Sequence, residues 1–398
     1  MPSAHTPASV HGRLARRDFL AASTALLAPG GMPAAAAGRG DATIRIGLIG
    51  CGGRGTGAAV QAAAADPAVR IVALGDAFAD QLASAAAVLG RAAASQFDCP
   101  PARRHVGPEA HRRVLAEGLD AVLIAAPPHL RPPHVEAAVA ARVHVMCETP
   151  AGVDARGVIR VAEAFARGRA AGLSIASGLH GRRDERLSAA VARVHAGAIG
   201  RPVAVDVHAV NGRGWRVPVR PEWTAAEARL RNWIGSDALS GGPFVERHVH
   251  AIDRALWALG DRLPSAARPL PGRAGVAIGY VFDDGAEIRV SSLPCPEPGV
   301  VGGETVSGSR GSSRLELAAD GRRFQATIDA FLQSIRSGRA MDDSGTLVRA
   351  SLVAVMGRTA AEAGRTLGWG EVAGGDAPAL ALSSPVHQIG RSVNPAGA

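Results

Sequence analysis

The sequence predicts an α/β protein: a doubly wound parallel sheet followed by a smaller α+β domain on a mostly antiparallel, open sheet. Three observations lead there. Apolar strand-like runs alternate with helical stretches from residue 43 to about 178, the order that builds a parallel sheet with helices on its faces. Beyond that point strands arrive in runs joined by hairpin signals, the signature of an α+β unit. A Gly-x-Gly-x-x-Gly run at Gly50, Gly52 and Gly55 separates the first strand from the first helix.

Each element has its own warrant. Ile44 to Ile49 is a short buried strand, and an Ala-rich helix follows the glycines. Arg70 to Leu74 is a second apolar strand ending at Gly75-Asp76. Leu119 to Ala125 is a third, stopped by Ala126-Pro127-Pro128. Helix His134 to Ala141, strand Val143 to Met146, helix Asp154 to Ala170 and strand Leu173 to Ala176 complete the alternation. The pattern then switches to period two, with Val203, Val205 and Val207 alternating with Ala204, Asp206 and His208. Val276 to Phe282 and Ala286 to Leu293 flank Asp283-Asp284-Gly285, a hairpin turn. Val306 to Gly311 and Leu315 to Leu317 continue as strand material. In the first of two closing helices Phe324, Ile328, Phe331, Leu332 and Ile335 share a face. The expected domains are residues 43–178 and 179–383, with a leader at 1–38 and an irregular tail at 384–398.

The glycine run carries chemistry. Gly50 permits a turn too tight for a side chain, Gly52 lets backbone approach a pyrophosphate, and Gly55 lets the helix pack on the strand. The helix N-terminus adds free N–H groups and a positive dipole end. Among 49 glycines such spacing also arises by chance as a plain structural turn. Here the strand before it, the helix after it and Asp76 at the next strand end favour dinucleotide binding. The expected cofactor residues are therefore Gly50, Gly52, Gly53, Arg54, Gly55 and Asp76. A carboxylate with no following arginine grips a ribose hydroxyl and repels a 2′-phosphate, so NAD is expected over NADP.

Composition excludes several classes. The chain of 398 residues is 47% hydrophobic and 20% charged, which is globular rather than disordered. Its net charge is +9, yet it contains no lysine, so all 44 basic residues are arginines. They are scattered and only 4% of residues are aromatic, so no stacking basic stripe for nucleic acid is present. Four cysteines (Cys51, Cys99, Cys147, Cys295) make no metal-ligand spacing. Arg16-Arg17-Asp18-Phe19-Leu20, the apolar run to Ala28 and Pro33 to Ala37 have the layout of a twin-arginine export signal. That run is well short of the ~20 residues of a membrane span. An exported, periplasmic protein handled by the twin-arginine machinery is expected.

Several landmarks in order resemble the Gfo/Idh/MocA oxidoreductases, in particular their twin-arginine-exported branch. They are Gly50 to Gly57, Pro127-Pro128-His129-Leu130-Arg131-Pro132-Pro133-His134 and Glu148-Thr149-Pro150. Gly197 to Gly200, Arg231-Asn232-Trp233, Ser240 through Glu246 to His250 and Asp253, and Gly308 to Gly311 follow. The resemblance spans about residues 43 to 370. It implies a Rossmann domain, a second domain whose sheet floors the substrate site, a nicotinamide cofactor and a sugar, polyol or amino-sugar substrate. It places Pro127, His129, His134 and Glu148 on the cofactor side and Arg183, Arg231, Trp233 and Asp253 on the substrate side. One departure stands out: the family's Glu-Lys-Pro is Glu148-Thr149-Pro150 here. A threonine hydroxyl donates one hydrogen bond but has neither the charge nor the reach of the lysine.

His250 is then the expected base for an alcohol proton, with Glu246 four residues earlier on the same helical face to orient it and raise its pKa. Arg182 and Arg183 sit at a strand end expected to face the cleft, and Trp215, Trp223 and Trp233 offer a stacking wall or core packing. His248 points away from that face. Three readings follow. One is an NAD-dependent oxidoreductase of a sugar-like alcohol. Another is an NAD-dependent glycoside-cleaving enzyme working by oxidation, elimination and reduction, as in the NAD-dependent α-N-acetylgalactosaminidases that this branch resembles. The last is a silent sugar or nucleotide binder, motivated by the missing lysine. An open sheet in the second domain is a place for homo-oligomer contacts by fold analogy.

Overall fold

A computed structural model describes residues 42–210, 215–271, 276–293 and 303–374. The expected export signal at 1–38, the tail at 384–398 and Cys295 lie outside the described residues.

Six parallel strands form the first sheet: β1 (Ile44–Ile49), β2 (Val69–Asp76), β3 (Arg104–Val106), β4 (Ala121–Ile124), β5 (His144–Cys147) and β6 (Ile175–Ser177). Their spatial order is β3-β2-β1-β4-β5-β6. The chain runs outward one way from β1 and then returns to the other side. That reversal between β1 and β4 opens a crevice at the strands' carboxyl ends. The crossovers are α1 (Gly53–Ala65), α2 (Ala79–Ala92), α3 (Ala110–Leu115), α4 (Arg131–Ala140) and α5 (Ala155–Ala170). β1, β2, β4 and β5 are buried on both faces, which is why they read as near-continuous Val, Ile and Leu rather than alternating.

After α6 (Glu185–His195) the second sheet begins with β7 (Pro202–Val210). Three helices follow, α7 (Ala225–Arg231), α8 (Asp237–Ser240) and α9 (Gly242–Ala258). The sheet continues with β8 (Ala266–Pro269), β9 (Val276–Val281), β10 (Glu287–Leu293), β11 (Gly303–Gly308), β12 (Gly311–Leu315) and β13 (Leu367–Gly368), in the order β12-β11-β7-β10-β9-β8-β13. Every pairing is antiparallel except β7 with β10. Its inner residues, among them Val205, Val207, Ile278, Ile288 and Val290, are buried. Its outer face is polar: Arg289 holds Asp206 through two bonds of 2.6 and 2.8 Å, and His208 bonds Ser291 at 2.7 Å.

The closing helices α10 (Arg322–Ser337) and α11 (Ser344–Ala363) do not simply finish the second domain, and α12 (Trp369–Ala373) ends the described chain. Ile328, Phe331, Leu332 and Ile335 of α10 bury themselves in one apolar cluster with Ile44, Ile46 and Leu48 of β1 and with α1. Arg336 anchors the packing through Asp66 at 2.7 Å. The apolar stripe is the expected one, but its target is the first sheet, so the expected boundary at 178 is crossed again by the returning chain. Period alone says that a helix has a buried face; it does not say against which partner.

Candidate functional site

The glycine loop leaves β1 at Gly50, whose φ of +93° suits glycine; a Cβ there would also strike the Ala126 backbone nitrogen at 2.4 Å. A Cβ on Gly55 would lie 2.0 Å from the Gly50 carbonyl oxygen, so α1 starts in direct contact with the loop. Around Gly52 and Gly53, by contrast, a Cβ would meet nothing within 4 Å. No side chain caps the N-terminus of α1, so its first N–H groups remain for a ligand. Open space beside an uncapped N-terminus fits a pyrophosphate. Asp76, ending β2, accepts hydrogen bonds from the Cys51 and Phe78 backbone N–H groups at 2.7 and 2.9 Å. Burial raises its pKa despite those bonds, and its remaining lone pairs can receive ribose hydroxyls.

These residues line a cleft of about 510 Å³. Arg54, Pro127, His129 and His134 line it too. His129 is held by a 3.1 Å contact between its Nδ1 and the Leu239 carbonyl. His134 packs against His111 with the rings tilted by 32° and their centroids 4.4 Å apart. Burial and the neighbouring His111 push the His134 pKa down to about 3. His111 belongs to the cleft although nothing in its local sequence marks it.

At the carboxyl end of β5 the chain turns through Glu148, Thr149 and Pro150. Glu148 is buried, with Arg54 Nε 2.9 Å and His180 Nε2 3.6 Å from its Oε1. Burial opposes its charge, but His180, Arg54 and Arg131 outweigh that and hold its pKa down at about 2. Arg131 is itself buried, donates to the Pro150 carbonyl, and has no partner on Nε among the described residues. His250 reaches across from α9, its Nε2 3.2 Å from Thr149 Oγ1. Thr149 thus pairs with the expected base at the place where the family carries lysine.

Glu246 does not orient His250. No hydrogen bond between them is found among the described residues, and burial raises the Glu246 pKa against the pull of Arg247 and Arg131. The His250 pKa is lowered rather than raised, to about 4, by burial and then by Arg254 and His180. Sharing a helical face put the two side chains on one side; it did not make them meet.

The expected substrate residues separate as well. Asp253 is 2% exposed and tied to Arg182 by bonds of 2.7 to 3.2 Å, with Asp261 completing the cluster at 2.9 Å. Both Asp253 and Arg182 are therefore structural, fixing α9 to the turn after β6. Arg183 pairs with Asp343 at 3.1 Å. Arg231 holds Asp80 through bonds of 2.9 and 3.0 Å, at the end of the cleft next to Asp76. Trp233 lines the same cleft with Trp215 and Trp223, so these rings border the dinucleotide site rather than forming a separate sugar wall. His248 is fully buried and stacks on Phe244. His180 and Arg131 were not singled out from sequence. His180 lies in the Gly178–Arg183 strand end and Arg131 inside the Pro-Pro-His landmark, so position was the available signal.

Sheet order, glycine loop and Asp76 define a dinucleotide-binding Rossmann protein. Residues 44–173 match the GFO_IDH_MocA family model, described as an oxidoreductase family with an NAD-binding Rossmann fold. Among curated proteins, inositol 2-dehydrogenase 2 of Saccharopolyspora erythraea is 28% identical over 235 residues, 59% of this chain and 59% of that protein. Among solved structures, scyllo-inositol dehydrogenase from Lactobacillus casei with bound NAD(H) and scyllo-inositol superposes with a TM-score of 0.63 at 18% identity. It covers 82% of this chain and 99% of the other. Aldose-aldose oxidoreductase from Caulobacter crescentus, complexed with glycerol, gives 0.61 at 20% identity, with coverage of 82% and 99%. At these identities the two structures establish the fold of both domains.

Proposed function

We propose that the protein is an NAD-dependent oxidoreductase interconverting a secondary hydroxyl and a carbonyl on a sugar-like polyol. The observation that carries this reading is the Thr149–His250 hydrogen bond at the carboxyl end of β5, beside a cleft built for a dinucleotide. NAD, when bound, takes or returns the hydride. The protein's share is to hold the alcohol and move its proton. His250, with its pKa near 4, is neutral at physiological pH and free to accept. The Thr149 hydroxyl donates to one partner and accepts from another, so it links the substrate hydroxyl to His250 Nε2. Positive charge at this end comes from Arg54 and Arg131, both acting on Glu148. The inositol dehydrogenase relative supports a polyol substrate.

Purified protein incubated with NAD+ and a panel of inositols and aldoses should produce absorbance at 340 nm, and His250→Ala should abolish it. Wild-type protein that binds NAD+ yet reduces none with any polyol, and forms no NAD+ from NADH with the ketoses, would defeat the reading. We also propose that residues 1–38 direct export by the twin-arginine route. A reporter fused to this leader should leave the cytoplasm, and changing Arg16 and Arg17 together to Lys should retain it there.

A further inference from the structure

Glu148 occupies a place that the sheet makes for it. Its backbone N–H donates to the Ile124 carbonyl at 3.0 Å, and its side chain lies over Gly178 just past β6. A Cβ on Gly178 would stand 2.2 Å from Glu148 Oε2, so any side chain at 178 would displace the carboxylate. Two residues further on, His180 turns back over that carboxylate, its backbone N–H bonding the Gly178 carbonyl at 2.9 Å. His180 is buried, with Nε2 3.6 Å from Glu148 Oε1. Nε2 has no hydrogen-bond partner among the described residues, so Glu148 is the acceptor it faces.

The other ring nitrogen is committed to α10. Nδ1 lies 3.0 Å from Thr327 Oγ1, and that hydroxyl is also 2.9 Å from the Arg323 carbonyl. Thr327 is buried, and Phe324 on the same helix packs on the imidazole. A hydroxyl has one proton to give and can accept as well. With His180 neutral it donates to Nδ1; with His180 protonated it turns to the Arg323 carbonyl and accepts from Nδ1–H. In both states the proton on Nε2 is aimed at Glu148. A bare Nε2 would instead set its lone pair against a buried carboxylate with no donor between them.

We propose that Thr327 and His180 are positioning residues for the base: Thr327 holds the imidazole on Glu148, and His180 offsets that carboxylate where it would otherwise draw a proton onto His250. The inference rests on the oxidoreductase reading above. Burial does most to keep His250 neutral, and four charged or titratable groups adjust it. They are Arg254 from its own helix, His180 from the turn after β6, Glu148 from the end of β5 and Arg131 from α4. Of the four, Glu148 alone favours the protonated imidazole, and His180 opposes it.

The test compares Thr327→Val, which keeps the shape without the hydroxyl, with Thr327→Ser, which keeps the hydroxyl. Full-length proteins are assayed across pH with NAD+ and the inositol or aldose that wild type oxidises fastest. In Thr327→Val the acidic limb of kcat/KM should move up from the wild-type position near 4 by roughly one unit. Its loss against wild type should therefore be several-fold greater at acid pH than at neutrality, and Thr327→Ser should keep the wild-type profile. Nitrogen NMR of isotope-labelled histidine gives a second readout, with the His180 signals assigned by their loss in His180→Gln. Wild type and Thr327→Ser should carry the proton on Nε2 throughout, whereas Thr327→Val should show mixed tautomers. An unmoved acidic limb in Thr327→Val, equal effects of Val and Ser, or a bare Nε2 in wild type would each overturn the proposal. Wild type that oxidises no polyol would overturn the oxidoreductase reading instead, and the NMR readout would still decide whether Thr327 holds His180 on Glu148.

Discussion

His250 and Thr149 set the chemistry at the scale of single residues. Because the folded His250 pKa lies near 4 and the ordinary value is 6.5, kcat/KM should stay flat through neutrality and fall only toward pH 4. An acidic limb near 6.5 would mean that another group is the base. The same shift has a stability consequence. Between about pH 4 and 6.5 the unfolded chain binds more protons at this histidine than the folded one does. Its contribution is therefore complete above about 6.5 and is lost as pH falls toward 4. Acid melts of His250→Gln against wild type should show that loss flattened. His250→Ala should lower turnover by about 10²- to 10⁴-fold, the usual worth of a positioned base, while NAD+ affinity measured by calorimetry stays unchanged. Thr149→Val removes the hydroxyl but keeps the shape, and should lower kcat with NAD+ affinity likewise intact. Asp253 makes a contrasting case. Asp253→Asn strips charge from a buried cluster around Arg182, and should cost about 3 kcal/mol of stability, read by urea unfolding.

Single elements explain what the sequence disclosed. β1, the glycine loop and α1 were legible together, because each glycine answers a steric demand visible in the pattern: open space at Gly52, contact at Gly55. Gly55→Ala should therefore destabilise by about 1–3 kcal/mol and weaken NAD+ binding, with thermal unfolding and titration as readouts. The β9–β10 hairpin around Asp284-Gly285 was equally plain, since local turn chemistry fixes it. The parallel pairing of β7 with β10 was not, because it joins strands more than eighty residues apart. The site divides along the same line. Residues at strand ends gather along the crevice because topology puts strand ends there. The expected pairings of Glu246 with His250 and of Asp253 with substrate do not follow from topology. Those inferences used spacing along α9, and spacing gives a face without giving the groups that approach it from other elements. Arg182 approaches Asp253 from the turn after β6, and Thr149 approaches His250 from the end of β5. Arg231 reached the Asp76 end of the cleft for the same reason: its partner Asp80 belongs to α2.

The whole molecule is less divisible than its two sheets suggest. The segment 44–173 carries the dinucleotide fingerprint, yet one face of its sheet is covered by α10. A fragment ending before residue 322 should thus expose Ile44, Ile46, Leu48 and their neighbours, and should aggregate or bind a hydrophobic dye, whereas full-length protein should not. A monomeric, cooperatively melting fragment would contradict this. α10 also touches the site: Phe324 packs on His180 at 4.6 Å and lies under the Arg54 guanidinium at 5.4 Å. The Arg336–Asp66 bond gives this arrangement a temporal meaning. Its two ends are 270 residues apart, so the ribosome finishes the first strand long before it makes the helix that seals it. The dinucleotide fold is therefore completed after most of the chain has been synthesised, and nascent chains arrested before residue 322 should remain protease-sensitive in a region whose own strands have already emerged.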